Sequence, residues 1–401
     1  MPKITRVRPV LLSAPYSNPE TSAEVRLHLQ GGYRTIGLVE MTLDSGIVGL
    51  GEGYLAVFAP HVFRTIVELV APVLVGRDPG DFDRLLREIS LTTGYWSWQG
   101  AAQHVVSALE IALQDCRAQL AGQSVATFLG GKAGGQLRLY ASGGDSLTRE
   151  AMAGEISQVR QLGIDVFKIR ARNHEVAKTL WCQQAAAAAG IRIAVDMTQN
   201  LTIPSQSISD IIAFVEAIAR PSGAMPAFLE EALGPDEIAN YPLLRSRLAQ
   251  CPIAGGEIVT TARELFQRLE QGYYDIVQPD ASVMGGISAT LAVFAAARDR
   301  GTEVYVHCWG GPVGMMANYH AAVAGSGYVA EWPLPRFPLR DALSIEPWRI
   351  ANGVLRLSEK PGLGLRLTPE VERAFPFRED AVYRCLTDPS QLPTQNWNSH
   401  D

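Results

Sequence analysis

The chain has 401 residues, which is more than one compact core usually needs, so we expect two domains or one large barrel. Hydrophobic residues make up 47% and charged residues 19%, a balance typical of soluble globular proteins. The net charge of −6 argues against a nucleic-acid or anionic-membrane partner, since either would call for a basic patch.

The cysteines and the apolar runs indicate the cellular compartment of the protein. The five cysteines are scattered, odd in number and never arranged as C-x-x-C, so we expect free thiols in a reducing environment. The opening "MPKITRVRPVLLSAPY" has too short an apolar run for a secretory signal, and no apolar stretch approaches a membrane span. These features predict a cytoplasmic protein.

The first 130 residues predict strands followed by helices. In "GLVEMTLDSGIVGLGEG", apolar alternation is broken by "DSG", which indicates a hairpin. Gly49, Gly51 and Gly53 suggest a nucleotide-binding loop, but no helix start follows, so a glycine-rich strand end is favoured. Between residues 62 and 130 the apolar residues follow helical spacing and stop at Gly122.

From about residue 136, short apolar runs alternate with helical segments such as 148–162 and 286–299. The eight runs are 137–142, 166–170, 191–196, 227–230, 252–257, 275–280, 303–307 and 328–331. Eight alternating units predict a (β/α)8-type barrel. A doubly wound sheet is the alternative, but its usual Gly-rich turn after the first strand is not seen. After residue 345 the alternation stops; 351–370 predicts a hairpin-like piece folding back on the N-terminal domain, and 387–401 a loose tail.

One ionisable group recurs at the end of each predicted strand from the second to the eighth. The groups are Lys168 with Arg170, then Asp196, Glu230, Glu257, Asp280, His307 and Glu331. In a barrel these ends converge on the C-terminal rim, where barrel enzymes carry their chemistry. A single Asp after a strand is usually a helix cap, but Glu caps poorly, so capping does not explain the series.

These residue types predict a metal between two proton-transfer groups. Asp196, Glu230 and Glu257 would repel one another and raise each other's pKa unless a hard cation such as Mg²⁺ joined them. An adjacent Arg170 should lower the pKa of Lys168 and make it a base. Asp280, beside the imidazole of His307, should fix the tautomer of that ring and favour its protonated form.

In this order and spacing, several stretches resemble the enolase superfamily, and specifically its mandelate racemase subgroup. They are "GIDVFKIR", "IAVDMTQN", "FLEEAL", "GGEIVTT", "VQPDASVMGGIS", "VHCWG", "VAEWP" and the turn "PGLG" at 361–364. The resemblance spans roughly residues 1–370. It implies an α+β capping domain over a (β/α)7β barrel, with a capping domain at 1–130, a catalytic barrel at 131–345, and a C-terminal segment at 346–401 that returns to the cap and ends in the tail.

The resemblance also implies roles for the rim residues. It implies Mg²⁺ ligation by Asp196, Glu230 and Glu257, a base at Lys168, an acid/base at His307 paired with Asp280, and a substrate-carboxylate contact at Glu331. Glu231 is expected to contact the metal ligands without binding the metal itself. Two departures stand out: Thr198 occupies a position where many relatives have Asn, and the second strand carries K-x-R instead of K-x-K. Arg170 is therefore a candidate for binding a substrate carboxylate, and a symmetrical two-base racemase is less favoured.

The resemblance favours dehydration of a sugar acid, aldonate or aldarate, to a 2-keto-3-deoxy acid. A racemase, epimerase or lactone cycloisomerase is the alternative, and a barrel that binds a sugar acid without turnover is a third. The loops at 15–33 and 53–61 should close over the site, with His28 and Tyr54 as candidate substrate contacts or solvent-facing residues. The aromatic run 94–100 lines the pocket or forms a packing or subunit contact. We expect a small-molecule acid as substrate and a homo-oligomer.

Overall fold

The computed structural model describes residues 2–29, 31–384 and 397. Its N-terminal part is a three-stranded antiparallel sheet packed against helices. The elements are β1 (Ile4–Pro15), α1 (Ala23–His28), β2 (Tyr33–Leu43), β3 (Val48–Glu52), a 3-10 turn (Tyr54–Val57), α2 (Pro60–Leu74), α3 (Phe82–Gly94), α4 (Ala101–Leu120) and α5 (Val125–Phe128). The predicted "DSG" hairpin is confirmed, because β2 and β3 pair antiparallel and Gly46 takes a φ of +84° in the turn between them.

The glycines of β3 are packing positions. A Cβ on Gly51 would lie 1.8 Å from the carbonyl oxygen of Ala108, and one on Gly49 would lie 2.5 Å from that of Ala112. Helix α4 therefore approaches the strand backbone more closely than any side chain allows. The run is a glycine-rich strand end, as the sequence favoured over a nucleotide loop.

The second part is a closed barrel of eight parallel strands, because the last strand pairs with the first. The strands are β4 (Gln136–Gly143), β5 (Val166–Arg170), β6 (Arg192–Asp196), β7 (Leu229–Glu230), β8 (Ile253–Gly255), β9 (Ile276–Val277), β10 (Glu303–Val306) and β11 (Val329–Pro333). The intervening helices are α6 (Arg149–Gln161), α7 (Val176–Ala187), α8 (Ile208–Ala219), α9 (Tyr241–Arg247), α10 (Ala262–Glu270), α11 (Ile287–Arg298) and α12 (Pro312–Ala324). Short 3-10 turns lie at Gln199–Leu201 and Ile238–Asn240. In the described part of the chain, only the four-residue α13 (Leu339–Ala342) lies between β11 and the C-terminal hairpin, so no eighth barrel helix follows and the predicted (β/α)7β barrel is confirmed.

All eight predicted runs overlap a barrel strand, but several helices were not anticipated, among them α1, α9 and α12. Helix α12 is buried along nearly its whole length, from Pro312 to Val323, so it has no polar face to produce a helical period. Helix α9 has seven residues and α1 has six, too few for a periodic signal.

The C-terminal segment divides between the two parts. The strand part of this segment, β12 (Arg349–Ala351) and β13 (Val354–Arg356), pairs with β4 of the barrel, so the predicted return of 351–370 to the N-terminal domain is wrong for these strands. The reason is a free edge: β5 pairs with β4 only at residues 141–143, which leaves 136–138 for β13. The predicted return is right for the turn at 361–364, where Gly362 accepts a hydrogen bond from the Val125 N–H. Beyond it, α14 (Pro369–Ala374) and the 3-10 turn Glu379–Ala381 do return, and Arg8 pairs with Glu372 at 2.6 Å. The predicted tail lies, apart from Trp397, outside the described residues.

Two further expectations bear on the described residues. Cys116, Cys182, Cys251 and Cys308 are buried free thiols, as predicted, and Cys385 lies outside the described part. Among the described residues, none of the helices combines the length and the apolar character that crossing a bilayer requires.

Candidate active site

The ionisable strand ends meet at one rim of the barrel, as predicted. Arg170, Asp196 and Glu230 are register partners on β5, β6 and β7, so their backbones stand side by side. Glu257 follows β8, where Ala254 is the partner of Glu230. The short strands and their in-register pairing bring side chains that are far apart in sequence into one layer.

The carboxylates of Asp196, Glu230 and Glu257 form the centre of this layer. Burial raises the pKa of Glu230 well above its ordinary value, and repulsion from Asp196 and Glu257 raises it further, against the attraction of Lys168. Within the described residues, no three acidic, His or Cys side chains stand close enough together to enclose an ion already. The chemistry of the donors nevertheless suits Mg²⁺, because every side-chain donor in the trio is a carboxylate oxygen.

Each carboxylate of this trio accepts a hydrogen bond from the protein. The donors are Thr198 N–H to Asp196 Oδ1 at 2.7 Å, Gln278 Nε2 to Glu230 Oε2 at 2.5 Å and Asn200 Nδ2 to Glu257 Oε1 at 2.8 Å. Thr198 adopts a left-handed conformation with φ +51°, and the chain then turns so that Asn200 supplies the amide. The buried Asn200 Oδ1 has no hydrogen-bond partner in the described part of the chain, so an oxygen beside Glu257 still lacks a donor or a cation.

Lys168 lies between two carboxylates. Its Nζ hydrogen-bonds Glu230 Oε1 and lies 2.9 Å from Glu331 Oε1. Burial alone would lower the pKa of Lys168, but these two carboxylates raise it well above its ordinary value. The predicted lowering by Arg170 is therefore wrong: both side chains point into the barrel, but Arg170 turns towards other carboxylates.

His307 and Asp280 form the predicted pair. Nδ1 of His307 is 2.8 Å from Asp280 Oδ2, while Asp280 Oδ1 accepts hydrogen bonds from Ser282 and Asn318. Asp280 can only accept when ionised, so Nδ1 carries the proton and Nε2 faces the site, 3.4 Å from Glu257 Oε2. Burial alone would lower the pKa of His307, but the surrounding carboxylates raise it to about 10.

Glu331 lies between Lys168 and His307. Its Oε2 accepts from the Cys308 N–H at 2.7 Å and lies 4.0 Å from His307 Nε2, while Oε1 contacts Lys168. Burial alone would raise the pKa of Glu331, but Lys168 and His307 hold it below its ordinary value. Its position between the two groups is compatible with contact to a substrate carboxylate.

Glu231 supports the loop that carries Glu257. It is buried, has a φ of +42°, and accepts a hydrogen bond from the Gly256 N–H at 2.6 Å. Burial and repulsion from Glu257 raise its pKa to about 7.

Helix α1 brings a carboxylate into the site that the sequence did not predict. Glu24 Oε2 pairs with Arg170 Nη1 at 3.1 Å, and Oε1 accepts from Trp309 Nε1 at 3.1 Å. Asp145, just after β4, anchors the start of α1 through Ser22 and the Glu24 N–H. Arg170 is thus engaged by Glu24 and lies 3.9 Å from Asp196, and no sequence spacing linked residue 24 to the rim.

The two loop residues predicted as substrate contacts differ in position. The ring of Tyr54 lies 6.4 Å from that of His307, and its hydroxyl accepts from Arg34 Nη2 at 3.2 Å. The ring of His28 stacks on Tyr383 at 4.4 Å, so the C-terminal segment already occupies one of its faces. Tyr54 therefore lies beside His307, and Arg34 is a further residue that sequence reasoning missed.

The aromatic run at 94–100 lies at the surface. Tyr95 is fully exposed and the side chains of Trp96 and Trp98 are about half exposed or more. The Gly100 N–H donates to Thr260 Oγ1 at 2.9 Å, which fixes the end of the run on a barrel loop. Exposed side chains do not line the site.

Similar proteins support this view of the fold. Residues 151–371, more than half of the chain, match the family "Enolase C-terminal domain-like", and residues 29–130 match "Mandelate racemase / muconate lactonizing enzyme, N-terminal domain". The chain is 27% identical to a D-galactarolactone cycloisomerase from Agrobacterium fabrum, over 93% of this chain and 98% of that protein. It is 28% identical to a D-gluconate dehydratase from Thermoproteus tenax, over 89% of this chain and 71% of that protein.

Solved structures show the same fold at lower identity. An L-talarate/galactarate dehydratase from Salmonella typhimurium LT2, liganded with Mg and L-lyxarohydroxamate, has a TM-score of 0.79 at 24% identity, over 94% of this chain and 93% of that one. The 3,6-anhydro-D-galactonate cycloisomerase from Zobellia galactanivorans has a TM-score of 0.79 at 22% identity, over 93% of this chain and 99% of that one.

Proposed function

The chain belongs to the enolase superfamily, in its mandelate racemase subgroup, and from that premise we propose that it removes the proton α to the carboxylate of a sugar acid. The reaction we favour is Mg²⁺-dependent dehydration to a 2-keto-3-deoxy acid. The gluconate dehydratase relative supports this choice of substrate and reaction.

The observation that carries the proposal is the pair of proton-transfer groups on either side of one carboxylate. Lys168 lies beside one oxygen of Glu331 and His307 lies near the other. The two groups come from β5 and β10, which are not neighbours in the barrel. A substrate whose carboxylate lies between them would present its α-carbon to Lys168 and its β-hydroxyl to His307, as general acid–base catalysis requires.

In this proposal the carboxylate trio of Asp196, Glu230 and Glu257 holds the metal. Bound there, Mg²⁺ supplies positive charge that stabilises the enediolate and offsets the negative charge around Lys168. Asn200 and Gln278 orient two of the three carboxylates, as supporting hydrogen bonds do in other metal sites.

The chain's own residues then move two protons. Lys168 takes the α-proton, and the C–H electron pair delocalises into the carboxylate as an enediolate. As that pair forms the new C=C bond, the C–O bond to the β-hydroxyl breaks, and His307 Nε2 donates the proton that releases it as water. Asp280 keeps the imidazole in the orientation and tautomer that this step needs. The resulting enol tautomerises to the 2-keto acid.

A second candidate function has its own support. Two proton-transfer groups could also exchange the α-proton between faces, which gives racemisation or epimerisation, and the galactarolactone cycloisomerase relative extends this to lactone isomerisation. Sugar-acid binding without turnover is less favoured, because the dyad, the lysine and the trio are all in place at one rim.

The test is a library of sugar acids incubated with Mg²⁺-loaded protein in D₂O, scored for 2-keto product and for deuterium at the α-carbon. We expect both in the wild type, and expect Lys168→Ala to lose exchange and turnover together. Full-rate exchange by Lys168→Ala would assign the proton abstraction to His307 instead. Exchange of both epimers without loss of water would favour the racemase, and absence of both 2-keto product and exchange with every acid would contradict both reactions.

A further inference from the structure

Arg34, near the start of β2, is a buried cation without a carboxylate partner. It is 2% exposed, and among the described residues no Asp or Glu oxygen lies within 4.0 Å of its guanidinium nitrogens. Nη1 and Nη2 donate to the hydroxyls of Tyr16 and Tyr54 at 3.1 and 3.2 Å, and the buried Nε has no partner there. A buried charge is costly unless it is paired, so this arrangement is incomplete without an anion.

The hydroxyl groups of Tyr16 and Tyr54 add two O–H donors beside the N–H donors of Arg34. Each hydroxyl accepts from Arg34, and neither donates its own proton to any acceptor in the described part of the chain. Burial raises the pKa of both Tyr16 and Tyr54, so both remain protonated phenols at neutral pH. Two O–H groups and a guanidinium N–H, without an acceptor between them, form a cluster that suits a carboxylate.

Glu24 and Glu52 attract Arg34 at longer range, but other groups already engage their carboxylates. Both oxygens of Glu24 are already engaged, one by Arg170 and the other by Trp309. The oxygens of Glu52 are engaged too, by the Gly311 and Gly314 N–H groups, so neither carboxylate forms an ion pair with Arg34.

This cluster lies within reach of the reacting end of a substrate. The Cζ of Arg34 is 5.7 Å from the ring centre of Tyr54, whose ring centre is 6.4 Å from that of His307. A six-carbon chain spans roughly 6 Å between its terminal carbons, and each end adds a hydrogen-bond length. An acid whose α-carbon lies beside His307 can therefore extend its far end to Arg34.

We propose that Arg34, with Tyr16 and Tyr54, binds a second carboxylate at the distal end of the substrate, so that the substrate class is the aldarates and not the aldonates. This inference rests on the proposed function, which leaves the two classes open.

The experiment compares Mg²⁺-loaded wild type, Arg34→Gln, Arg34→Lys and the control Arg87→Gln, which removes an exposed arginine of the same domain. Each is given six-carbon aldarates and the aldonates of matching configuration, and kcat/KM is measured by 2-keto product and α-proton exchange. We expect the wild type to favour the aldarate by about 100-fold, and Arg34→Gln to lose about 100-fold on the aldarate but under about 3-fold on the aldonate. Arg34→Lys should retain part of the preference, and Arg87→Gln all of it.

A binding measurement separates this inference from the reaction. Adipate, an unreactive six-carbon dicarboxylate, should raise the melting temperature of the wild type and not of Arg34→Gln, whereas hexanoate should raise neither. If Arg34→Gln does not fold, Arg34→Lys and Tyr16→Phe make the same comparison and should each weaken the adipate effect. Equal wild-type kcat/KM on both classes, equal losses on both in Arg34→Gln, or equal effects of adipate and hexanoate would overturn the distal site. Absence of both 2-keto product and exchange with every acid would contradict the proposed function, and the adipate comparison would still decide the role of Arg34.

Discussion

At the scale of single residues, adjacent Glu230 and Glu231 have separate tasks because the chain turns between them. Glu230 ends β7 and faces Lys168 and Gln278, while Glu231 has a positive φ and points to the loop after β8. If Glu230 holds the metal, replacing one anionic oxygen by an amide should remove metal affinity without removing bulk.

Glu230→Gln and Asp196→Asn should therefore each lower turnover by about 10³-fold or more while leaving the fold intact. Mg²⁺ affinity measured by calorimetry should fall in parallel, and circular dichroism should be unchanged. Glu216→Gln, an exposed change of the same chemistry on α8, is the control and should match the wild type in all three measurements. Near-wild-type turnover and Mg²⁺ affinity in either site variant would mean that the ligand assignment is wrong.

His307 and Asp280 should differ in how much activity they carry. If His307 donates the proton to the leaving hydroxyl, as proposed, His307→Asn should lower formation of 2-keto product by roughly 10³- to 10⁴-fold. Asp280→Asn keeps the imidazole but weakens its orientation, so its loss should be smaller, about 10- to 100-fold. Product release assays on one substrate give both values, and the dyad assignment fails if His307→Asn still forms product at the wild-type rate.

At the scale of elements, the regular spacing of strand ends made the rim predictable from sequence. Parallel barrel strands end in one layer, so Asp196, Glu230 and Glu257 could be placed together before any coordinates existed. The same reasoning failed for Glu24 and Arg34, because they belong to another domain and no repeat relates their positions to the barrel. The pKa of Lys168 was also misjudged, because its direction depends on which neighbours touch the ammonium and not on which residue is two positions away.

The contact between β3 and α4 is another element-scale feature with a direct test. Gly51→Ala would place a Cβ 1.8 Å from a helix carbonyl oxygen, so the helix must move, and we expect a loss of at least about 3 kcal/mol in unfolding free energy. Gly154→Ala is the matched control, because Gly154 is an exposed position of α6 with no heavy atom within 4 Å of the added Cβ. It should gain up to about 1 kcal/mol from helix propensity.

Urea denaturation of the two alanine variants measures both changes. If β3 packs closely against α4, the unfolding free energy should fall in Gly51→Ala and rise in Gly154→Ala. A Gly51→Ala protein as stable as the wild type would show that helix and strand can separate without cost.

At the scale of the whole molecule, Asp115 of α4 joins distant parts of the chain. Its Oδ2 accepts from the Leu50 N–H of β3, and its Oδ1 accepts from the Leu363 N–H in the turn at 361–364, each at 2.8 Å. Beside it, the Val125 N–H donates to the carbonyl of Gly362, which holds the same turn against the N-terminal domain. The "PGLG" stretch thus meets the cap through this buried carboxyl group and through backbone hydrogen bonds beside it.

This carboxyl group should make stability depend on pH. Burial raises the pKa of Asp115 from 3.8 to about 6, so the folded protein binds its proton more tightly than the unfolded chain does. The contribution of this group to the free energy of unfolding is fully present below about pH 4 and is lost as the pH rises through about 6, a decrease of roughly 3 kcal/mol.

Asp115→Asn cannot titrate at this position. The unfolding free energy of the wild type should therefore exceed that of this variant most at low pH, and the difference should shrink towards neutrality. Urea denaturation from pH 4 to 7.5 measures this difference in unfolding free energy. Asp299→Asn, an exposed change of the same kind, is the control. If the difference between wild type and Asp115→Asn stayed constant or grew with pH, the carboxyl group would not be protonated in the folded protein, and the link between β3 and the C-terminal turn would be an ordinary carboxylate contact.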